Sequence, residues 1–146
     1  MTPANRCLTL SPLPGRYAIL KLAPDAEIPA PPRTSEFYSV THASEELSIV
    51  MAEASLPAGV TASRGWCILK VHGPFAFNEI GVLAAIAEPL AKEKVSIFAI
   101  STYDTDYILL SMEQLPGAVE ILQRAGHRIV DSQLGHLQNG FKESNE

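Results

Sequence analysis

Basic charge, cysteine and long apolar runs are all scarce in this chain of 146 residues. Only 11 Lys and Arg stand against 16 Asp and Glu, a formal net charge of -5, and the basic residues are scattered. A surface that neutralises nucleic-acid phosphates needs them clustered, so the balance argues against a polyanion partner. The longest uninterrupted apolar stretch, around Gly81 to Ala87, is far too short to span a bilayer. Met1 to Leu10 has no basic region followed by an apolar one, so the expectation is a soluble, cytoplasmic chain without a membrane partner. The two cysteines, Cys7 and Cys67, sit in strand-like runs with no C-x-x-C spacing, which opposes a disulfide framework or a zinc site and favours buried small side chains. Enzyme signatures are missing too: there is no G-x-S-x-G, G-x-x-x-x-G-K-S/T or G-x-G-x-x-G string. His42, His72, His127 and His136 lack zinc-binding spacing and read as surface or packed residues. What remains is apolar: 47% hydrophobic against 18% charged residues is ample for a core, in one ordinary domain or two very small ones sharing it.

Laid on itself, the chain repeats. Tyr17-Ala18-Ile19-Leu20-Lys21-Leu22 aligns with Trp66-Cys67-Ile68-Leu69-Lys70-Val71. Tyr38 to Thr41 aligns with Phe98 to Ser101, Glu46 to Val50 with Asp106 to Leu110, and both copies run through Glu53 or Glu113 to a Leu-Pro pair, Leu56-Pro57 or Leu115-Pro116. The offset grows from 49 to 60, so the second copy holds an insertion. That insertion predicts a helix with Asn78 as N-cap, Glu79 in its first turn and Ile80, Leu83, Ala84 and Ala87 at helical spacing, with Pro89 kinking or ending it and Leu90 to Lys94 as a final turn or loop. The matching stretch of the first copy, Ala23 to Glu36, holds four prolines and predicts an extended connection. Pro116 to Ala125 predicts a second helix, with Val119, Leu122 and Ala125 on one face and Gly126 as its stop, followed by a strand from His127 to Val130.

The second half therefore reads strand, helix, strand, strand, helix, strand, the ferredoxin-like βαββαβ plan, and the first half reads as the same plan with its helices largely lost. The fold class is α+β: two ferredoxin-like repeats, the first degenerate, sharing an antiparallel sheet, with boundaries at residues 1–63 and 64–131 and a polar, fraying tail at 132–146. Two helices cover only about half of one face of such a sheet, and an uncovered apolar face drives association, so a two-fold homodimer is expected. Lys21 and Lys70 recur as solvent-facing lysines, Cys67 reads as core, and Phe75 and Phe77, which bracket the Gly-Pro loop, read as core residues before ligand-stacking ones.

Gly73-Pro74-Phe75-Ala76-Phe77-Asn78-Glu79-Ile80-Gly81, followed by Ser96 to Leu109 with its Ser-Thr-Tyr-Asp-Thr-Asp-Tyr-Ile-Leu string, resembles the ACT domain. More narrowly it resembles the tandem ACT proteins related to the CASTOR arginine sensors and their bacterial relatives, and Glu45 to Val50 extends the likeness into the first half. The resemblance implies small-ligand sensing, commonly of amino acids, at interfaces between ACT modules, without catalysis. It also implies that a homodimer supplies modules, since this chain has two where the arginine sensors have four.

Asp104 and Asp106 flank Thr105 between apolar runs. They read either as a polar β-turn or, with Thr102, as one side of an alternating strand. In the second reading they suit an ammonium or guanidinium group, with Glu79 adding a carboxylate and free N–H groups around Asn78 to Ile80 suiting a carboxylate ligand. The resemblance points to the same places, because Glu79, Thr102, Tyr103, Thr105 and Asp106 match pocket positions of the arginine-sensor family. The candidate ligand site is Glu79, Ile80, Ser101, Thr102, Tyr103, Asp104, Thr105 and Asp106. The same oxygens could serve a divalent cation, but no spaced ligand signature supports one, and no metal or cofactor is expected. The function read from the sequence is a non-catalytic, amino-acid-binding regulatory module. The alternatives are an ACT-fold interaction module without a metabolite, or a small enzyme with an unrecognised acidic site.

Overall fold

The computed structural model describes residues 6–130; the expected tail and His136 lie outside the described residues. In chain order the elements are β1 (Thr9–Pro12), β2 (Tyr17–Leu22), β3 (Ser39–His42), β4 (Leu47–Ala52), β5 (Ala62–Val71), α1 (Val82–Lys92), β6 (Phe98–Ser101), β7 (Asp106–Ser111), α2 (Leu115–Arg124) and β8 (Arg128–Ile129). Every repeated block is a strand, and no helix interrupts the proline-rich stretch between β2 and β3. Two features were not foreseen. β5 starts at Ala62 and so runs through the expected boundary, and β1 precedes the first repeated block.

β1 and β2 are one strand broken at Pro12 to Gly15, and both run antiparallel along the same edge of β5: Leu10 lies opposite Val71 and Tyr17 opposite Trp66. Outside β2 come β4 and then β3, all antiparallel. On the other edge of β5 come β7 and then β6, also antiparallel. β8 pairs with β1 in parallel, so the sheet is mixed rather than purely antiparallel. The reason is geometric: β1 takes the place beside β5 that the last strand of a βαββαβ unit would hold, and β8 is displaced one position outward.

Alternation sends successive residues to opposite faces. On one face, Cys67, Leu69, Val71, Ile108 and Leu110 pack with Ile86 and Leu90 of α1 and Ala118 and Leu122 of α2. Ala18, Leu20, Ile49 and Met51 form a smaller cluster with Tyr38, Val40 and Leu56. The opposite face carries Tyr17, Val50, Ile68 and Leu109, joined by Phe37 from the proline-rich connection. That face was expected to lie open, and it does not. Edge strands β3 and β6 are five strand spacings apart, about 24 Å in a flat sheet, yet both line one groove of about 250 Å³. The sheet therefore curls over its own helix-free face, and among the described residues Tyr17, Val50, Ile68 and Leu109 on that face are buried rather than left as an open apolar surface.

The helix readings were out of phase. α1 begins at Val82, not after an Asn78 cap; Gly81 precedes it in the left-handed region at φ +85°, where glycine is favoured. Its buried stripe is Val82, Ile86 and Leu90, spaced by four, while Leu83 and Ala84 face out. Burying residues such as Ile86 and Leu90 contributes roughly 1.5 to 3 kcal/mol each. α2 follows the expected range closely, but its buried residues are Ala118, Val119 and Leu122, with Ala125 exposed.

Pro89 lies inside α1, which continues to Lys92. Proline removes the N–H that would bond the carbonyl four residues back, that of Ala85. His127 replaces it: its Nε2–H donates to the Ala85 carbonyl at 2.9 Å, while its Nδ1 accepts the Leu8 N–H at 3.1 Å. The buried imidazole, a neutral tautomer assigned from these partners, thus joins α1 to the residue before β1. His127→Ala leaves both groups unpaired and should cost about 2 to 4 kcal/mol in urea denaturation. In a Pro89→Ala background the restored N–H satisfies Ala85, and the cost should fall by about 1 kcal/mol; strict additivity of the two changes would refute the replacement.

Candidate functional site

Two segments that leave the sheet at the end of β5 build the site. The β6–β7 hairpin pairs Ser101 with Asp106, and its tip is closed by the Thr102 N–H donating to the Thr105 carbonyl at 2.8 Å. Thr105 is buried, and its hydroxyl donates to the Val71 carbonyl at 2.5 Å, fastening the hairpin to β5. Thr102, Asp104 and Asp106 therefore do not alternate along one strand. Tyr103 and Asp104 form the tip, and Asp106 opens β7 with its carboxylate accepting the Ser101 hydroxyl.

The segment after β5 lies across this hairpin. The Phe75 N–H donates to the Asp104 carbonyl at 2.8 Å, and a Cβ on Gly73 would stand 2.8 Å from the same oxygen. Only glycine permits that approach. Next comes a self-closed turn: the Glu79 N–H donates to the Ala76 carbonyl, and the Ala76 N–H donates to Glu79 Oε1, both at 3.0 Å. Glu79 Oε2 pairs with Arg6, which also donates to the Ile80 carbonyl at 3.4 Å and stands 5.6 Å from the Phe75 ring centroid, within cation–π range. The Ala76 N–H first, and Arg6 second, hold the Glu79 carboxyl below its ordinary range.

Between the hairpin, this loop and the first turn of α1 lies an open cleft of about 350 Å³. Seven of the eight candidate residues line it: Glu79, Ser101, Thr102, Tyr103, Asp104, Thr105 and Asp106. Ile80 is not on its wall and is 88% exposed. The sequence reading missed the residues that oppose the hairpin, Gly81 to Ala84 and the Phe75 to Phe77 segment. Phe75 does pack on the core, but Phe77 is 78% exposed and meets Tyr103, 79% exposed, edge-on at 4.9 Å. No side chain caps α1, so the N–H groups of its first turn stand at the cleft without a capping partner. The cleft thus sets a helix N-terminus and its partial positive charge against a hairpin bearing two carboxylates.

Other chemistry is weaker. Burial pushes the Cys67 thiol up to about 11, and its Sγ–H donates to the Leu110 carbonyl, the behaviour of a packing residue. Among the described residues no three His, Cys, Asp or Glu side chains gather in a way that could hold a metal ion, and no helix is long and apolar enough to cross a membrane.

Residues 61–124 match the family model of the ACT domain, and a second model, of an N-terminal domain, matches residues 15–59. The ACT-domain match thus covers the second half of the chain, a little under half of its length. It is 32% identical over 101 residues to the human cytosolic arginine sensor for mTORC1 subunit 1, a match covering 64% of this chain and 31% of that protein. The chain thus matches about a third of the length of this curated relative. A crystal structure of a protein from Agobacterium tumefaciens superimposes with a TM-score of 0.80 at 34% identity, covering 86% of this chain and 93% of that one. Aspartate kinase of Clostridium acetobutylicum shares the fold at 12% identity and a TM-score of 0.57, over 75% of this chain and 33% of the kinase.

Two outcomes follow from the geometry. Gly73→Ala must move backbone, because the obstruction is the Asp104 carbonyl rather than a flexible side chain; it should lower stability by roughly 1 to 3 kcal/mol in thermal melts, and a neutral result would deny the close approach. Because the folded-state pKa of Glu79 is lowered, its contribution is present above the ordinary carboxylate range and is lost as pH falls through the folded value. The melting-temperature gap between wild type and Glu79→Gln should be full near neutral pH and close in acid.

Proposed function

We propose that the chain is a non-catalytic regulatory module that binds a small ligand of the amino-acid class in the cleft between α1 and the β6–β7 hairpin. The observation that carries this reading is the opposition of an uncapped helix N-terminus to Asp104 and Asp106 across one cleft. A free amino acid presents the complementary pair, a carboxylate for the N–H groups and an ammonium for the carboxylates. The volume suits a small molecule, and the name of the human relative, an arginine sensor in the cytosol, supports both the ligand class and a cytosolic setting. We read residues 1–63 as a reduced copy of the ACT unit in 64–131, on the shared strand order β2, β3, β4 and β5, β6, β7. A homodimer remains part of the proposal on a changed basis: Phe77, Ile80, Leu83 and Tyr103 are exposed apolar side chains in one region around the cleft.

A thermal-shift screen of the twenty amino acids tests the reading, because a ligand bound only by the native state raises the melting temperature by mass action. At least one should shift it at millimolar concentration, and no shift from any would sink the proposal. Asp106→Asn should weaken the responding ligand by about 1.5 to 3 kcal/mol, the range for charged hydrogen bonds, with little change in stability. Normal binding with early melting would make Asp106 a turn residue only. Light scattering at micromolar concentration should give twice the chain mass if the exposed patch is a dimer contact.

A further inference from the structure

We infer that Arg6 sets ligand specificity: by pairing with Glu79 from outside the cleft, it withdraws that carboxylate from the site, so the cleft selects amino acids whose only cation is the α-ammonium over those with a cationic side chain. This rests on the amino-acid reading above and narrows it. Both carboxylate oxygens of Glu79 are engaged, Oε1 by the Ala76 N–H and Oε2 by the Arg6 guanidinium. Arg6 is not a wall of the ligand cleft. It lines a separate groove with Ala85, Glu88 and His127 and reaches Glu79 from that side.

Two further contacts hold it there, and the chain beside it is anchored. The guanidinium donates to the Ile80 carbonyl and covers the Phe75 ring, and two residues along the chain the Leu8 N–H is held by His127. A ligand cation that claimed Glu79 would have to break this charge-assisted pair, which offsets what the new contact contributes. The carboxylates left to the cleft are Asp104 and Asp106, both on one hairpin, and they suit a single ammonium. The wall also carries the Phe77 and Tyr103 pair, which offers an apolar or aromatic side chain contact area and offers a second charge little.

Calorimetric titration of the full chain with neutral amino acids, lysine and arginine tests the inference. Wild type should bind its best neutral ligand at least tenfold tighter than either basic one. Arg6→Gln frees Glu79 and should shrink that ratio at least fivefold, while Arg6→Lys, which keeps the charge, should preserve it. A role confined to holding the loop would weaken all ligands in proportion and leave the ratio unchanged, which overturns the inference, as does a wild type that prefers arginine or lysine. A second measurement needs no variant: on adding the best ligand, the carboxyl carbon resonances of Asp104 or Asp106 should move and that of Glu79 should stay. Displacement of Glu79 overturns the proposal. Absence of binding by the whole panel overturns the amino-acid reading itself, an outcome distinct from binding with the wrong preference.

Discussion

The antiparallel pairing of the broken strand β1–β2 along β5 is the constraint from which the rest of the architecture follows. β5 is long enough to carry β2 on its first half and β1 on its second, so the two halves of the chain share a hydrogen-bonded seam rather than a linker. The N-terminal segment is thereby inserted into the sheet of the C-terminal unit, between β5 and β8. Apolar residues of both halves then fall into common clusters, as with Leu10 among Leu69, Ile108 and Ile86, or Tyr17 and Val50 among Ile68 and Leu109. Neither half buries its core alone: the curl of the sheet closes the helix-free face, while on the other face Ala18, Leu20, Ile49 and Met51 of the first half are packed by Tyr38, Val40 and Leu56 instead of helices. The same insertion carries Arg6 to the loop that precedes α1.

Local departures from regular structure are each matched by a polar partner. Pro89 deprives Ala85 of a donor, and His127 supplies one. Gly65, at φ +79°, lies where the register between β2 and β5 shifts, and its N–H is taken by Glu53, which also approaches Arg16 at 3.6 Å. Thr105 spends its hydroxyl on the last carbonyl of β5. Among the described residues no buried side-chain nitrogen or oxygen lacks a hydrogen-bond partner. Interruptions that would otherwise cost about 1 to 3 kcal/mol each become the joints between sheet, helices and hairpin.

The six repeated strands were legible because each is a short apolar or alternating run whose partner copy confirms its phase. The proline-rich connection was legible because four prolines between Ala23 and Glu36 remove too many backbone donors for a helix, whereas the single Pro89 of α1 is accommodated. The start of α1 was not. Asn78 is a good cap by type, but the backbone spends Ala76 to Glu79 on a closed turn, and only the left-handed Gly81 redirects the chain into the helix. That displacement moved the buried stripe from Ile80 and Leu83 to Val82, Ile86 and Leu90. Tyr103, Asp104, Thr105 and Asp106 were found as a string, whereas the opposing wall was lost because Phe77 looks like core and is exposed. β1 and Arg6 carry no local signal at all; their places are set by pairing with residues some sixty to seventy positions away.

Under the proposed amino-acid reading, the charge order of the cleft is what would let an acidic chain hold a ligand that is itself partly anionic. The α1 N-terminus carries roughly half a positive charge, and the carboxylates of Asp104 and Asp106 face it from the hairpin. Glu79, though on the cleft wall, has its charge offset by Arg6 from behind. In the proposed complex a zwitterion adds no net charge between these poles: at 4 Å and an effective dielectric of 20 its ammonium gains about 4 kcal/mol of gross Coulomb energy from one carboxylate, and its carboxylate about 2 kcal/mol from the half charge of the helix, before desolvation is subtracted. Such a ligand gains no long-range attraction from the overall charge of -5, which is screened beyond about 8 Å at physiological salt. In that reading selection rests on contacts inside the cleft: the spacing of the two poles, the aromatic edge beside them, and the Glu79 carboxylate already paired with Arg6.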